Sequence, residues 1–215
     1  LNATAKFALT PLHEAASQGH RSIINLLVQS NADINCRSEE GETPIIEAVK
    51  EKQWDAANML IQLGCDVNVK DKKGNTILHQ TIDDGEHLSF FKKLLMAGAD
   101  VEINDIDKAP LFHKAIEKKY VGLIRLLMEY PINLDSTDIY QRTPIHRAIE
   151  MINVALVNVL IQRGVNLEFE NIEKMTPISM AVRYGEAEMV ESLITAEVNI
   201  NHQDKRGKTA LHEAV

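Results

Sequence analysis

Apolar residues in this chain fall in short stripes at helical spacing, and the stripes come in pairs. Over residues 38–70, Ile45, Ala48 and Val49 stand at i, i+3 and i+4, and Ala56, Ala57, Leu60 and Ile61 form a second stripe after a polar link. That pattern predicts two short helices folded back on each other. Thr43 caps the first through its hydroxyl, and Pro44 falls at the first helical position, where a missing N–H costs nothing. Gly64 ends the second helix in a left-handed conformation. Asp66-Val67-Asn68 then leads out to the turn at Asp71 to Gly74, which reads as the tip of a β-hairpin-like finger.

The same paired stripe recurs. Residues ending in a Thr-Pro-Leu-His-like tetrad align at positions 13, 46, 79, 113, 146, 179 and 212, a spacing of 33 except for one step of 34. A fixed period of this length marks a stack of one supersecondary unit whose neighbours bury faces that no unit buries alone. One slot holds Ala15, Ala48, Thr81, Ala115, Ala148, Ala181 and Ala214, which implies a close approach of successive helices. The pairs Leu26-Leu27, Leu60-Ile61, Leu94-Leu95, Leu126-Leu127, Leu160-Ile161 and Leu193-Ile194 are read as core between layers.

Composition narrows the function classes. Hydrophobic residues make up 45% and charged residues 25%, as in a folded chain. The formal net charge of −8 speaks against nucleic acid or an anionic membrane as the main partner. The basic tips Lys70, Lys72, Lys73 and Lys205, Arg206, Lys208 then read as solvated loops. Cys36 and Cys65 form no disulfide framework, which points to the cytoplasm, or else the nucleus. No apolar run is long enough to span a bilayer, so membrane insertion is not expected. The start at Leu1 and the stop at Val215, a few residues into a seventh copy, suggest an excerpt of a longer protein, monomeric as a fragment.

The turn Asp-x-x-Gly-x-Thr-Pro-Leu-His-x-Ala, the Leu-Leu pair and the Gly-Ala-Asp-Val-Asn exit together resemble an ankyrin repeat array. Thr10 to Ala16 with Gly19-His20, Gly98 to Val101, and Asp204 to Ala214 carry the likeness best. The resemblance implies an all-α solenoid of helix-turn-helix pairs with finger loops. It would be a single domain over 1–215 with repeats at 5–37, 38–70, 71–104, 105–137, 138–170 and 171–203, and a partial one at 204–215. It also implies that His13, His79, His113, His146 and His212 tie adjacent fingers through turn backbone, and that Leu27 with Asn35, and Leu60 with Asn68, resemble asparaginyl hydroxylation sites. The departures are one extra residue near Glu86 to Phe91, Ile46 and Ser179 in the histidine slot, and Pro131 and Glu197 in place of the helix-ending glycine. Since proline cannot take positive φ, the exit from the fourth repeat must follow another path.

Catalytic and metal chemistry find no support. Stacked units place the five histidines on the order of 10 Å apart, too far to share one ion. There is no Gly-rich phosphate loop, paired-cysteine zinc spacing or nucleophile elbow, so no enzyme activity, cofactor or metal is expected. Cys65 sits in the small-residue slot of Ala32 and Ala99, Cys36 is read as a free thiol on a finger, and His87 and His202 as surface residues.

What the resemblance implies instead is a partner protein or peptide held on a concave face of fingertips and first helices. Counted from each Asp-like turn residue, the variable slots of the second and third copies are polar: Glu39, Glu40, Glu42, Lys50, Glu51 and Lys70, then Lys72, Lys73, Asn75, Asp83, Asp84 and Asn104. From the fourth copy they turn apolar, with Ile106, then Ile139, Tyr140 and Met151, then Ile172, Met175 and Tyr184. Arg142 and Arg183 stand beside them, with Glu117, Lys118, Glu150 and Glu173 completing a charged rim. Ile106, Ile139 and Ile172 lie 33 apart and are expected to form one stripe, suited to a protein-binding adaptor or scaffold. The alternative is that finger apolars pack on one another. Two further functional readings stand beside the adaptor: a regulatory or mechanical arm of a channel or enzyme, and a secreted toxin or pathogen-effector array.

Overall fold

The computed structural model describes residues 9–84, 87–102 and 110–214, the side chains of Asp83 and Asp84 excepted. All the regular elements among them are helices: Pro11–Ser17 (α1), Arg21–Gln29 (α2), Pro44–Lys50 (α3), Trp54–Gln62 (α4), Ile77–Asp84 (α5), Leu88–Met96 (α6), Leu111–Glu117 (α7), Val121–Leu127 (α8), Pro144–Glu150 (α9), Val154–Gln162 (α10), Pro177–Arg183 (α11), Ala187–Thr195 (α12) and Ala210–Glu213 (α13). The chain divides into two compact units, residues 1–106 and 107–215.

Each unit stacks helical pairs. In the first, α1, α3 and α5 pack in sequence as one layer and α2, α4 and α6 as another. In the second, α7, α9, α11 and α13 form the first layer, and α10 packs on α12 in the other. Ala15, Ala48, Thr81, Ala115, Ala148 and Ala181 are all buried, as the tight spacing of first helices requires, and the Thr81 hydroxyl donates to the Leu78 carbonyl at 2.9 Å. Ala214, the C-cap of the four-residue α13, is exposed, against expectation.

Local chemistry sets the helix ends. Thr10, Thr43, Thr143 and Thr176 are extended N-caps and each is followed by Pro at the first turn. The Thr43 hydroxyl, expected to cap α3, makes no bond among the described residues, because Ile46 stands where His13 and His146 reach back to their caps. His13, His79, His146 and His212 use Nδ1 to accept the N–H of the capping Thr, at 3.1–3.3 Å. Second helices close in the Schellman manner. Gly64 takes φ +85°, its N–H reaches Ile61, and the Cys65 N–H reaches Leu60. Glu197 adopts the same left-handed φ, +60°, without glycine's freedom. Pro131 cannot, and the chain leaves α8 by bonds from Tyr130 N–H to Leu127 and from Ile132 N–H to Tyr130. The extra residue of the third copy gives α5 eight residues instead of seven, and the link that follows includes residues 85–86, outside those described.

The paired-leucine reading needs correction. The inward slot is 27, 60, 94, 127, 160 and 193, of which Leu60, Leu94, Leu127, Leu160 and Leu193 are fully covered. Leu26, one place earlier, and Ile194, one place later, are exposed, because a nine-residue helix turns only one stripe fully into the stack. Nor are His87 and His202 simply solvated: His87 lies against the Trp54 ring with centroids 3.9 Å apart, and His202 Nε2 is 3.1 Å from the Lys174 carbonyl. Cys36 is half-buried, its Sγ 3.2 Å from the Thr10 hydroxyl, while burial pushes the Cys65 thiol up to about 12.

Candidate protein-binding face

The fingers are built by one side chain each. Asp71, Asp138, Asn171 and Asp204 accept through Oδ1 from the N–H groups two and four residues on, at 2.8–3.0 Å. Each finger then closes with an N–H to carbonyl bond across the turn: Asp71 to Asn75, Asp138 to Arg142, Asn171 to Met175 and Asp204 to Lys208. Successive tips are joined by a single bond, from Lys72 N–H to Glu40 in the first unit, and from Ile172 N–H to Tyr140 and Lys205 N–H to Glu173 in the second. The hairpin-like finger is thus a turn with one rung. Below the tips, histidines tie one finger to the next first helix. His13 Nε2 donates to Glu42 O at 3.0 Å, His113 to Arg142 O at 2.8 Å and His146 to Met175 O at 3.2 Å. A carbonyl only accepts, so Nε2 carries the proton and Nδ1 is free to accept from the cap. Burial holds the neutral form, lowering the pKa of His13 and His113, and that of His146 to about 4.

In residues 107–215 two fingers and two first helices enclose a cleft of about 160 Å³. Six of the residues expected at the binding face line it: Tyr140, Arg142, Ile172, Met175, Arg183 and Tyr184. Tyr140 and Tyr184 are 50% and 42% exposed, and Ile172 is 45% exposed. Ile139 is exposed beside them and Met151 is half-buried, but neither lines the cleft. Ile106 and Asn104 lie outside the described residues, and the other two members of the expected stripe, Ile139 and Ile172, are both exposed.

Met175 corrects the expectation of an exposed anchor. It is 1% exposed and forms the cleft's floor, with its Sδ 3.0 Å from an Arg183 nitrogen. Its neighbours were not apparent from the variable slots. Met180 lines the cleft from α11, and Asn171 donates its amide to the Met180 sulfur at 3.5 Å. The signal in the sequence was Asn171 itself, the one amide in the Asp-like position, because an amide donates where a carboxylate cannot.

Charge is fixed around this cleft. Arg142 donates to Asp138 at 2.9 Å and to both oxygens of Glu150 at 2.9–3.0 Å, and its guanidinium lies 4.5 Å from the Tyr140 ring centroid. Burial alone raises the Asp138 pKa, but the hydrogen bonds from Arg142 outweigh it and hold the carboxyl below its usual range. Arg147 bonds Glu150 and Glu117, and Arg183 bonds Glu173 at 2.8 Å. Among the described residues no three His, Cys, Asp or Glu side chains gather as a metal site, and no helix is long and apolar enough to cross a membrane.

Stacked helical pairs with hydrogen-bonded fingers and an aromatic cleft define a repeat protein of the solenoid class. A family model for ankyrin repeats (3 copies) matches residues 1–71, 78–171 and 153–215, and the chain belongs to that family. Its repeats are generally non-catalytic modules of protein–protein interaction. The fold is similar to the crystal structure of the ankyrin repeat domain of Bcl-3, a member of the IkappaB protein family, at TM-score 0.82 and 23% identity over 96% of this chain and 94% of that one. It is also similar to the human ASB11 ankyrin repeat domain, at TM-score 0.72 and 24% identity over 96% and 92%. No curated protein matches the sequence.

Proposed function

We propose that this chain is a non-catalytic adaptor or scaffold that holds a protein segment on the finger and first-helix face, centred on the cleft between Tyr140 and Tyr184. The observation that carries this reading is the convergence, in one 160 Å³ cleft, of exposed aromatics from positions far apart in the sequence. Magnitudes favour the tyrosines as the source of affinity. A buried aromatic anchor is worth about 2 kcal/mol or more on truncation, whereas exposed ion pairs such as Arg183–Glu173 give about 0–1 kcal/mol. Arg142, already held by Asp138 and Glu150, positions the Tyr140 ring and sets charge selectivity. Met175 keeps the floor apolar. Ile139 and Met151 extend the contact beyond the cleft, and Ile106 is assigned to the same surface by its place in the repeat.

The repeat spacing and the family match over 78–171 run through the boundary between the units, which supports one repeat domain over 1–215. Two free cysteines and no disulfide support the cytoplasm or nucleus. The test is quantitative capture from cell extract. Proteins retained by the native chain are expected to fall at least tenfold with Tyr140→Ala/Tyr184→Ala, and to stay unchanged with Glu39→Ala/Lys73→Ala. Equal retention by all three chains would remove the proposal.

A further inference from the structure

A second surface lies beside the helix that Pro131 shortens. That residue occupies the slot of Gly98 and Gly164, and the residue before a proline is kept out of the helical region. Helix α8 accordingly ends at Leu127 after seven residues, where α2, α4, α6, α10 and α12 each have nine, and its last bonds tighten to i→i+3 at Glu129 and Tyr130. Beside this shortened helix a groove of about 200 Å³ lies between α8 and α10.

Its lining is mostly apolar, with Val121, Ile124 and Met128 on one side and Ala155, Leu156 and Val159 on the other, and Asn153 and Arg125 as its polar members. Val121, Ala155 and Val159 are exposed. Helix α10, VALVNVLIQ, carries no charge in nine residues although it faces solvent, where a surface helix ordinarily has a charged side. The adjoining groove between α10 and α12 differs, being lined by Asn158, Gln162, Glu188, Glu191 and Ser192 among others. Arg125 stands at the rim of the apolar groove, exposed and without an ion pair or hydrogen bond among the described residues. At the other end Arg163 is occupied, donating to the Met128 carbonyl at 3.1 Å.

We propose that the α8–α10 groove is a docking site for an amphipathic helix of a partner protein, with apolar anchors at i, i+3 or i+4 spacing and a carboxylate facing Arg125. The backbone of both helices is internally bonded, so no edge is available for strand addition, and the mode that fits is helix-in-groove. The single unpaired guanidinium beside an uncharged wall selects one acidic residue among apolar ones. This surface belongs to the second helices and is independent of the Tyr140–Tyr184 cleft.

The test titrates the isotope-labelled 1–215 chain with synthetic helix-stabilised peptides. These carry Leu, Ile or Phe at the i, i+3, i+4 and i+7 positions and one Glu beside them. Saturable shifts are expected at Val121, Ile124, Ala155 and Val159. Binding is expected to weaken about tenfold with Arg125→Glu or Val159→Glu, both checked for native helicity. A peptide with Arg in place of Glu is expected to regain binding to Arg125→Glu. Failure of every peptide to saturate, equal binding to the variants, or shifts confined to Tyr140 and Tyr184 would overturn the proposal. So would concentration-dependent self-association abolished by Val159→Glu, which would make a second copy the occupant.

Discussion

In residues 1–106 the finger tips end in Glu39, Glu40, Lys72 and Lys73, whereas the equivalent tips in residues 107–215 carry Ile139, Tyr140, Ile172 and Glu173. The bonds beneath are the same in both. Asp71 caps its finger as Asp138 caps its own, and Lys72 is tied to Glu40 as Ile172 is to Tyr140. Even the left-handed turn position is shared, with Gly41 and Gly74 in the first unit and Gln141 and Lys174 in the second, all at φ between +56° and +82°. Gly41 also approaches the next finger closely, where a Cβ would stand 3.1 Å from the Lys72 nitrogen. The scaffold therefore decides where a side chain is shown and leaves its chemistry free, so surface chemistry differs between the units while the fold does not.

The largest expected effect separates floor from tip. Met175→Ala should lower stability by about 3 kcal/mol, because it opens a cavity under the cleft, while Asn75→Ala at the equivalent, half-exposed slot of the first unit should stay within about 0.5 kcal/mol. Urea unfolding of both variants checks this. A near-zero effect of Met175→Ala would restore the exposed-anchor reading.

Two variants probe the joints where one unit departs from the other. Ile152 takes φ +53° between α9 and α10, a conformation costly for a β-branched residue, where the first unit has Gly19 and Lys52. Since Ile152 is exposed, Ile152→Gly is expected to stabilise by about 1 kcal/mol, more than Lys52→Gly does, as read by thermal unfolding. Pro110 replaces the capping Thr of the first unit and leaves the buried His113 Nδ1 without a partner among the described residues. Pro110→Thr supplies that cap and should add about 1 kcal/mol. No gain in the midpoint of denaturant unfolding would mean that Nδ1 is satisfied by water.

The remaining comparison is read in pH. Folding lowers the pKa of His13, His113 and His146 below 6.5, so the unfolded chain binds protons first and stability falls as pH drops through 6.5 toward about 4. Glu47, in the first unit, works the other way. Burial, with the Glu42 carboxylate alongside, raises it from 4.5 to about 7, so the fold holds a proton that the unfolded chain releases, and stability rises as pH drops through that window. Glu47→Gln should therefore steepen the loss of stability between about pH 7 and 5, measured by denaturant unfolding across that range. An unchanged slope would place Glu47 outside the linkage.

Much of the architecture could be read from residue order because its causes are local. Thr before Pro starts a first helix, Gly64 ends a second, and a buried Ala every 33 residues sets the approach of neighbours. The histidine ties followed from the family resemblance and are seen at His13, His113 and His146. That the exit from α8 departs from the others followed from Pro131, and the bonds it takes did not. The binding slots were visible as positions, and six of nine line one cleft. Their directions were not visible. Met175 turns inward beside Met180 and Arg183, whereas Arg142 in the same slot turns to Asp138 and Glu150.

What residue order settled was the repeating unit, its caps and turns, and the slots left open to variation, since each depends on bonds within a few residues or on a strict period. Which apolar side chains stay in water, as Tyr140 and Val159 do, and which close over a floor, as Met175 does, was decided by packing between repeats. A side chain's final direction depends on the partners that stacking brings to it, and those partners lie some thirty residues away along the chain.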